Sequence, residues 1–164
     1  MAPPDRLAFV CPRLAGEGAV GGAETLLKNL ARHAAARGFA VDFLTTCAQS
    51  HYTWENTLPP GVKEMDGLQV HFFPVDARDA GTFLRIQQAI DRGRPVSPEE
   101  ELLWLRHGVN STALLAHLER HGAAYRAILL GPYLFGLTYF TALARPRRAL
   151  LVPCLHDEPF AKLA

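Results

Sequence analysis

The residues best suited to chemistry near the start of the sequence form a glycine turn. Gly21, Gly22 and Glu24 stand between a short apolar stretch, residues 7–11, and an amphipathic helical pattern. Glycines allow a ligand to approach the backbone closely, and they can adopt positive φ angles. The first N–H groups of a helix have no partner within the helix and attract anions. The turn therefore predicts a site for a phosphate or a sugar.

A second polar group, His156-Asp157-Glu158, follows an apolar stretch near the end of the sequence. An imidazole at this place can hydrogen-bond a sugar hydroxyl or stabilise charge in a transition state. The alternative is a loop histidine that bonds the local backbone, with Asp157 and Glu158 capping a helix that starts near Pro159. Glu24 is also open to two interpretations, since a carboxylate in the first helical turn either stabilises the helix or binds a sugar hydroxyl.

The elements that position these groups alternate between strand and helix. Five strands are expected, over residues 7–11, 39–46, 68–74, 127–130 and 149–154. The third of them is expected at an edge of the sheet, with His71 exposed. Helices are expected after the glycine turn, around 82–91, after the N-caps Ser97 and Ser111, and over 134–143. This order predicts a single α/β domain over 1–164, with a Rossmann-like, doubly wound parallel sheet. Ligands of such sheets bind at the carboxyl ends of the strands.

Composition excludes several classes of function. The formal net charge is +1 and the basic residues are dispersed, so nucleic acid is not expected as a partner. No apolar run is long enough to span a bilayer. The three cysteines have no metal-binding spacing, and we expect them to be reduced and buried, in a cytoplasmic protein with no metal site. Trp104 is expected in the core.

Three short segments together resemble the N-terminal domain of the GT-B glycosyltransferases of family 4. They are Gly-Gly-Ala-Glu at residues 21–24 before a leucine-rich helix, Asp-Gly-Leu-Gln-Val at 66–70, and Pro-Cys-Leu-His-Asp at 153–157. The resemblance covers nearly the whole sequence. It implies transfer of a sugar from a nucleotide sugar to an acceptor with retention of configuration, without a bound metal or another cofactor. The reaction would take place in a cleft between two Rossmann-like domains, of which this one holds the acceptor.

The resemblance also implies roles for individual residues. His156 would lie beside the transferred sugar as a catalytic group, and Gly21 and Gly22 would line the cleft. From the residues themselves, Glu24 and Asp157 are further candidates to bind substrate. The partners would be a nucleotide-sugar donor and a sugar, lipid or other small-molecule acceptor. Two further contacts are left open: peripheral contact with the inner membrane surface, and self-association. The nucleotide-binding half of such enzymes has no counterpart in the sequence, so we expect a truncated domain that is inactive alone.

Two other classes of function remain open. Residues 16–21 read Gly-Glu-Gly-Ala-Val-Gly and match the G-x-G-x-x-G fingerprint of NAD-binding domains. Against NAD, four residues separate this motif from the first strand, and the second strand ends in Thr45-Thr46 rather than in an acidic residue. The apolar helix at 134–143 would also suit a non-catalytic interaction module.

Overall fold

A six-stranded, mostly parallel sheet with helices on both faces organises the chain. The computed structural model describes residues 5–14 and 21–163. Its strands are β1 Arg6–Val10, β2 Ala40–Thr46, β3 Gly61–Met65, β4 Leu68–Phe73, β5 Tyr125–Leu130 and β6 Ala149–Leu151. Its helices are α1 Gly22–Ala36, α2 Ala80–Asp91, α3 Pro98–His107, α4 Thr112–His121 and α5 Gly136–Ala144, with short 3₁₀ turns at Gly122–Ala124 and Pro159–Lys162. The predicted Rossmann-like α/β fold is confirmed.

The strand order is β3-β4-β2-β1-β5-β6, and every neighbouring pair is parallel except β3 with β4. The chain moves outward from β1 in one direction through β2 and in the other through β5. The switch point, where such sheets bind ligands, therefore lies at the carboxyl ends of β1 and β5. The prediction that residues 68–74 form an edge strand is wrong, because β3 pairs along the outer side of β4.

Alternate residues of the strands lie on opposite faces of the sheet and contribute to two separate cores. Phe9 and Phe43 pack with Leu27 and Ala31 of α1 on one face. On the other face, a cluster contains residues of the strands together with residues of α4 and α5, namely Ala8, Val10, Leu44, Leu114, Leu118, Tyr125, Ile128, Leu130 and Leu137. Each fully buried Leu or Phe contributes about 1.5–3 kcal/mol of transfer free energy.

Helix α1 buries a narrower apolar stripe than its sequence predicts. Leu27 and Ala31 are fully buried, but Leu26 and Leu30 are 44% and 37% exposed. The sheet contacts only the side of the helix that carries Leu27 and Ala31, so the neighbouring leucines remain at the surface.

The capping predictions for α3 and α4 are confirmed. The Ser97 hydroxyl accepts a hydrogen bond from the Glu100 N–H at 3.2 Å, and the Glu100 carboxylate accepts one from the Ser97 N–H at 3.1 Å. Ser111 accepts from the Leu114 N–H at 3.3 Å. Trp104 is buried, as predicted, in a third cluster with Ile86 and Ile90.

The three cysteines are all free. Cys11 and Cys47 are buried, and burial raises the pKa of the Cys11 thiol to about 12. Cys154 is only partly buried, so the expectation of full burial is wrong for this residue. Within the described ranges, no helix combines the length and the apolarity that crossing a bilayer requires.

A polar cluster crosses one face of the sheet around Asp42 of β2. The buried Asp42 carboxylate accepts a hydrogen bond from the Tyr125 hydroxyl at 2.8 Å and lies 3.5 Å from Nε2 of His71. Burial acts to raise the pKa of Asp42, but the hydrogen bonds from His71 and Tyr125 outweigh it, so this pKa lies below its ordinary value. His71 is therefore a partner of a buried carboxylate, and the prediction that it is an exposed edge residue is wrong.

Next to this cluster, His117 of α4 has a depressed pKa. Its ring is 5.3 Å from that of His71 and 4.7 Å from that of His121. Desolvation, with the charges of His71, His121 and Arg120, outweighs the attraction of Asp42 and lowers the pKa of His117 from 6.5 to about 4. The ring is therefore neutral in the folded protein at pH 5 but protonated in the unfolded chain.

We expect the free energy of unfolding to fall as the pH falls from 6.5 to about 4, because the unfolded chain binds the His117 proton first. His117→Phe should flatten this part of the pH profile, while His33→Gln, a change at an exposed histidine of α1, should leave it unchanged. Urea unfolding of the three proteins at pH 7.5 and pH 5 measures the difference. An equally steep loss in His117→Phe would assign the effect to other groups.

Candidate functional site

A cleft of about 270 Å³ opens at the switch point of the sheet. Four segments line it: the turn after β1, the start of α1, the loop after β2 and the loop after β5. Their lining residues are Cys11, Pro12, Arg13, Gly21, Gly22, Ala23, Glu24, His51, Trp54, Pro132 and Phe135. The cleft therefore lies where a doubly wound sheet is expected to bind its ligand.

A buried ion pair between Arg13 and Glu24 forms the polar wall of the cleft. Arg13 Nε and Nη2 donate to the two carboxylate oxygens of Glu24 at 2.7 and 2.9 Å. The two side chains are only 8% and 14% exposed. This bidentate geometry gives strong, charge-assisted hydrogen bonds. The pair joins the turn after β1 to the first turn of α1.

The remaining nitrogen of Arg13 reaches a third segment. Nη1 donates to the carbonyl of Gln49 at 2.9 Å and lies 3.2 Å from Nδ1 of His51. One guanidinium therefore holds three of the lining segments together. Arg13 is fully engaged by protein groups, so it has little capacity left to bind an anion.

The glycines of the turn lie in the cleft lining, but neither acts through a positive φ angle. Gly21 is the N-cap of α1 with φ −125°, and Gly22 is the first helical residue. A Cβ atom on Gly21 would lie 2.7 Å from Cδ of Glu24, whereas a Cβ on Gly22 would meet no atom within 4 Å. The turn therefore does not use the positive φ angles that glycine allows. Gly21 instead makes room for the Glu24 carboxylate, and a side chain at position 22 would extend into open space without disturbing the fold.

Glu24 occupies the end of α1 where an anion would otherwise bind. Gly21 supplies no side-chain cap, and the first acidic residue of the helix is Glu24. Its negative charge interacts favourably with the helix dipole. With the charge of Arg13 balanced by Glu24, the wall has no net charge, and its polar groups suit hydroxyls better than phosphates.

Trp54 forms the apolar side of the cleft. Its backbone has φ 58°, a left-handed conformation that bulky residues rarely adopt, and its N–H donates to the Ser50 carbonyl at 3.1 Å. The indole packs against Phe135 with the ring centroids 5.4 Å apart. An unusual backbone conformation beside a cleft is typical of functional loops.

His156 and Asp157 lie on the loop after β6 and do not line the cleft. Both are exposed, and Asp157 pairs with Lys162 at 3.4 Å. Glu158 accepts a hydrogen bond from the Tyr133 hydroxyl at 2.7 Å, and no side-chain hydrogen bond caps the 3₁₀ turn that follows. The structure thus brings Gly21, Gly22 and Glu24 together and leaves His156 and Asp157 apart from them.

Sequence reasoning missed Arg13 and His51. Arg13 stands three residues after the buried end of β1, and a charged residue at that place is a signal that could have marked it. His51 carries no such signal, because only the fold brings it to Arg13.

Five of the six residues of the G-x-G-x-x-G match, at positions 16–20, lie outside the described residues. Only its last glycine, Gly21, is described. Among the residues that the structure describes, no group of three or more His, Cys, Asp or Glu side chains is arranged to hold a metal ion.

Comparison with models of protein families and with curated protein sequences gave no match.

Proposed function

We propose that this chain is the acceptor-side domain of a retaining glycosyltransferase that uses a nucleotide sugar. The observation that carries the proposal is the Arg13–Glu24 pair, which gives the cleft at the switch point a polar wall without net charge, suited to hydroxyl groups. The sequence resemblance described above names the class, and the position of the cleft agrees with it.

The cleft has the groups that a sugar needs. An ionised carboxylate offers about four acceptor positions, and Arg13 uses two of those on Glu24. The others can accept hydrogen bonds from sugar hydroxyls, while the Trp54 indole offers an apolar face to the ring carbons. Ligand sites commonly combine an apolar lining with a few placed polar groups.

The same wall disfavours a diphosphate. A phosphate at the start of α1 would lie next to the Glu24 carboxylate, and Arg13 is already paired. Like charges at short range repel strongly in a partly buried site. In this proposal the donor diphosphate binds to a second domain, and no metal or other cofactor takes part.

In this proposal, His156 and Asp157 act from outside the cleft, on the loop after β6. The His156 ring makes no hydrogen bond or ion pair with the described residues, so it would be free to bind the transferred sugar if a second domain closed over this loop. Asp157 would hydrogen-bond substrate in exchange for its exposed pair with Lys162. We propose a cytoplasmic location, at the inner membrane surface if the acceptor is a lipid.

We expect this chain alone to bind no nucleotide sugar at micromolar concentration, because the diphosphate lacks a cationic partner in the cleft. Isothermal titration with a panel of nucleotide sugars measures this directly. An enzyme that joins the chain to a nucleotide-sugar domain should transfer the sugar with retention, which NMR of the anomeric proton detects. Tight binding of any nucleotide sugar to residues 1–164 would place the donor site here and overturn the proposal.

One observation favours the interaction module as a second candidate. Four leucines near β6 are exposed: Leu143 by 59%, Leu150 by 56%, Leu151 by 53% and Leu155 by 62%. Apolar surface of this kind is typical of a contact with another domain, a partner or a second copy of the chain. For an NAD site the cleft offers less support, since Glu24 stands where the pyrophosphate of a dinucleotide would bind.

A further inference from the structure

A second cavity, of about 170 Å³, lies beside the cleft and is lined mainly by apolar residues, five of them aromatic. Its aromatic residues are Trp54, Phe83, Trp104, Phe135 and Phe160, and Arg78 and Gln87 are its charged and amide side chains. Two of these residues, Trp54 and Phe135, also line the cleft. The two spaces therefore share a wall.

Three of the aromatic rings are stacked on one another in the cavity wall. Trp104 stacks on Phe83 with centroids 5.9 Å apart and planes at 12°, and on Phe160 at 5.4 Å and 16°. The polar atom of the Trp104 indole is satisfied, because Nε1 donates to Gln87 at 2.8 Å. An apolar protein cavity of about 150 Å³ accommodates benzene. A space of 170 Å³ thus matches one six-membered ring.

Arg78 adds a positive charge to this apolar space. Its guanidinium carbon is 5.7 Å from the centroid of Phe83, and Nη2 makes a long hydrogen bond of 3.5 Å to the Thr53 carbonyl. Among the described residues, no carboxylate forms an ion pair with Arg78. A guanidinium without a counter-charge beside aromatic rings favours a planar anion such as a carboxylate, or a phosphate.

We propose that this cavity binds a single aromatic ring that carries an anionic group, with Arg78 as the partner of the anion. Because the cavity shares Trp54 and Phe135 with the cleft, the ring would belong to the acceptor, and this assignment to the acceptor rests on the proposed function. The binding itself does not, since it needs neither a donor nor a second domain. Its failure and a failure of sugar transfer are therefore separate results.

Intrinsic fluorescence provides a direct test. The sequence contains two tryptophans, and both line the cavity. Phenylacetate and phenyl phosphate, titrated into the chain with excitation at 295 nm, should change the emission. The tighter of the two anions should bind about tenfold more tightly than neutral 2-phenylethanol, as expected for about 1.4 kcal/mol from one charged hydrogen bond. The comparison of phenylacetate with phenyl phosphate distinguishes a carboxylate ligand from a phosphate ligand.

Arg78→Gln should remove the preference for the anions and leave the binding of 2-phenylethanol unchanged. Arg94→Gln is the matched control, because Arg94 is exposed and lines neither space. Circular dichroism checks that both variants fold. The comparison of ligands on the unaltered chain keeps the test decisive even if Arg78→Gln does not fold. Equal binding of anions and neutral alcohol, or no emission change with any ligand at millimolar concentration, would overturn the proposal.

Discussion

Arg13→Met is expected to lower the free energy of unfolding by about 3–5 kcal/mol, the usual cost of removing one partner from a buried ion pair. The substitution leaves the Glu24 carboxylate, only 14% exposed, without its two donors. It also removes the hydrogen bond to the Gln49 carbonyl, which fixes the loop after β2. Urea unfolding followed by circular dichroism measures the loss.

The chain offers a matched control in the surface pair Lys28–Asp66. The nitrogen and oxygen are 2.5 Å apart, but the side chains are 29% and 49% exposed. Lys28→Met should therefore cost at most about 1 kcal/mol. Arg13→Met combined with Glu24→Leu should recover much of the stability, because no buried charge is then left alone. A single Arg13→Met that costs no more than Lys28→Met would show that the pair is well hydrated and does not fix the cleft.

His156→Ala is expected to reduce kcat/KM by about 10²-fold in an enzyme that joins this chain to a nucleotide-sugar domain, which is the scale for the loss of one positioned polar group. Its stability should hardly change, because His156 is exposed on the loop after β6. Initial rates at varied acceptor concentration, together with thermal unfolding, separate the two effects.

His33→Ala is the control for this experiment, since His33 is an exposed histidine in the last turn of α1, away from the carboxyl edge of the sheet. It should leave both rate and stability unchanged. If His156→Ala retains the rate of the control, the histidine does not contact the reacting sugar. The remaining candidate imidazole is then His51, which lines the cleft beside Arg13.

The helices and most strands could be predicted because their signals are local. Ser97 and Ser111 each lie three residues before the N–H that they cap, and runs of apolar residues mark the buried strands. Strand β3 was missed because its residues Gly61–Met65 are nearly all exposed and follow Pro59-Pro60, so no alternation marks them. Without β3, residues 68–74 were placed at the sheet edge and His71 was predicted to be exposed.

The candidate site was predicted only in part, because its partners are far apart in sequence. The glycine turn could be located from composition, but the reason for Gly21 depends on where the Glu24 carboxylate lies in space. Arg13 joins Glu24, 11 residues away, and the carbonyl of Gln49, 36 residues away. Propensity and periodicity carry no information on such pairings.

The wall of Trp54 and Phe135 has a thermodynamic consequence, because it borders both the cleft and the aromatic cavity. The two rings pack edge to face at 67°, so a ligand that moves either ring alters both spaces. A ligand of this kind in one space would change the affinity of the other, and linkage requires that the factor be the same in both directions. A ligand that filled both at once would gain or lose this coupling free energy in addition to its separate contacts.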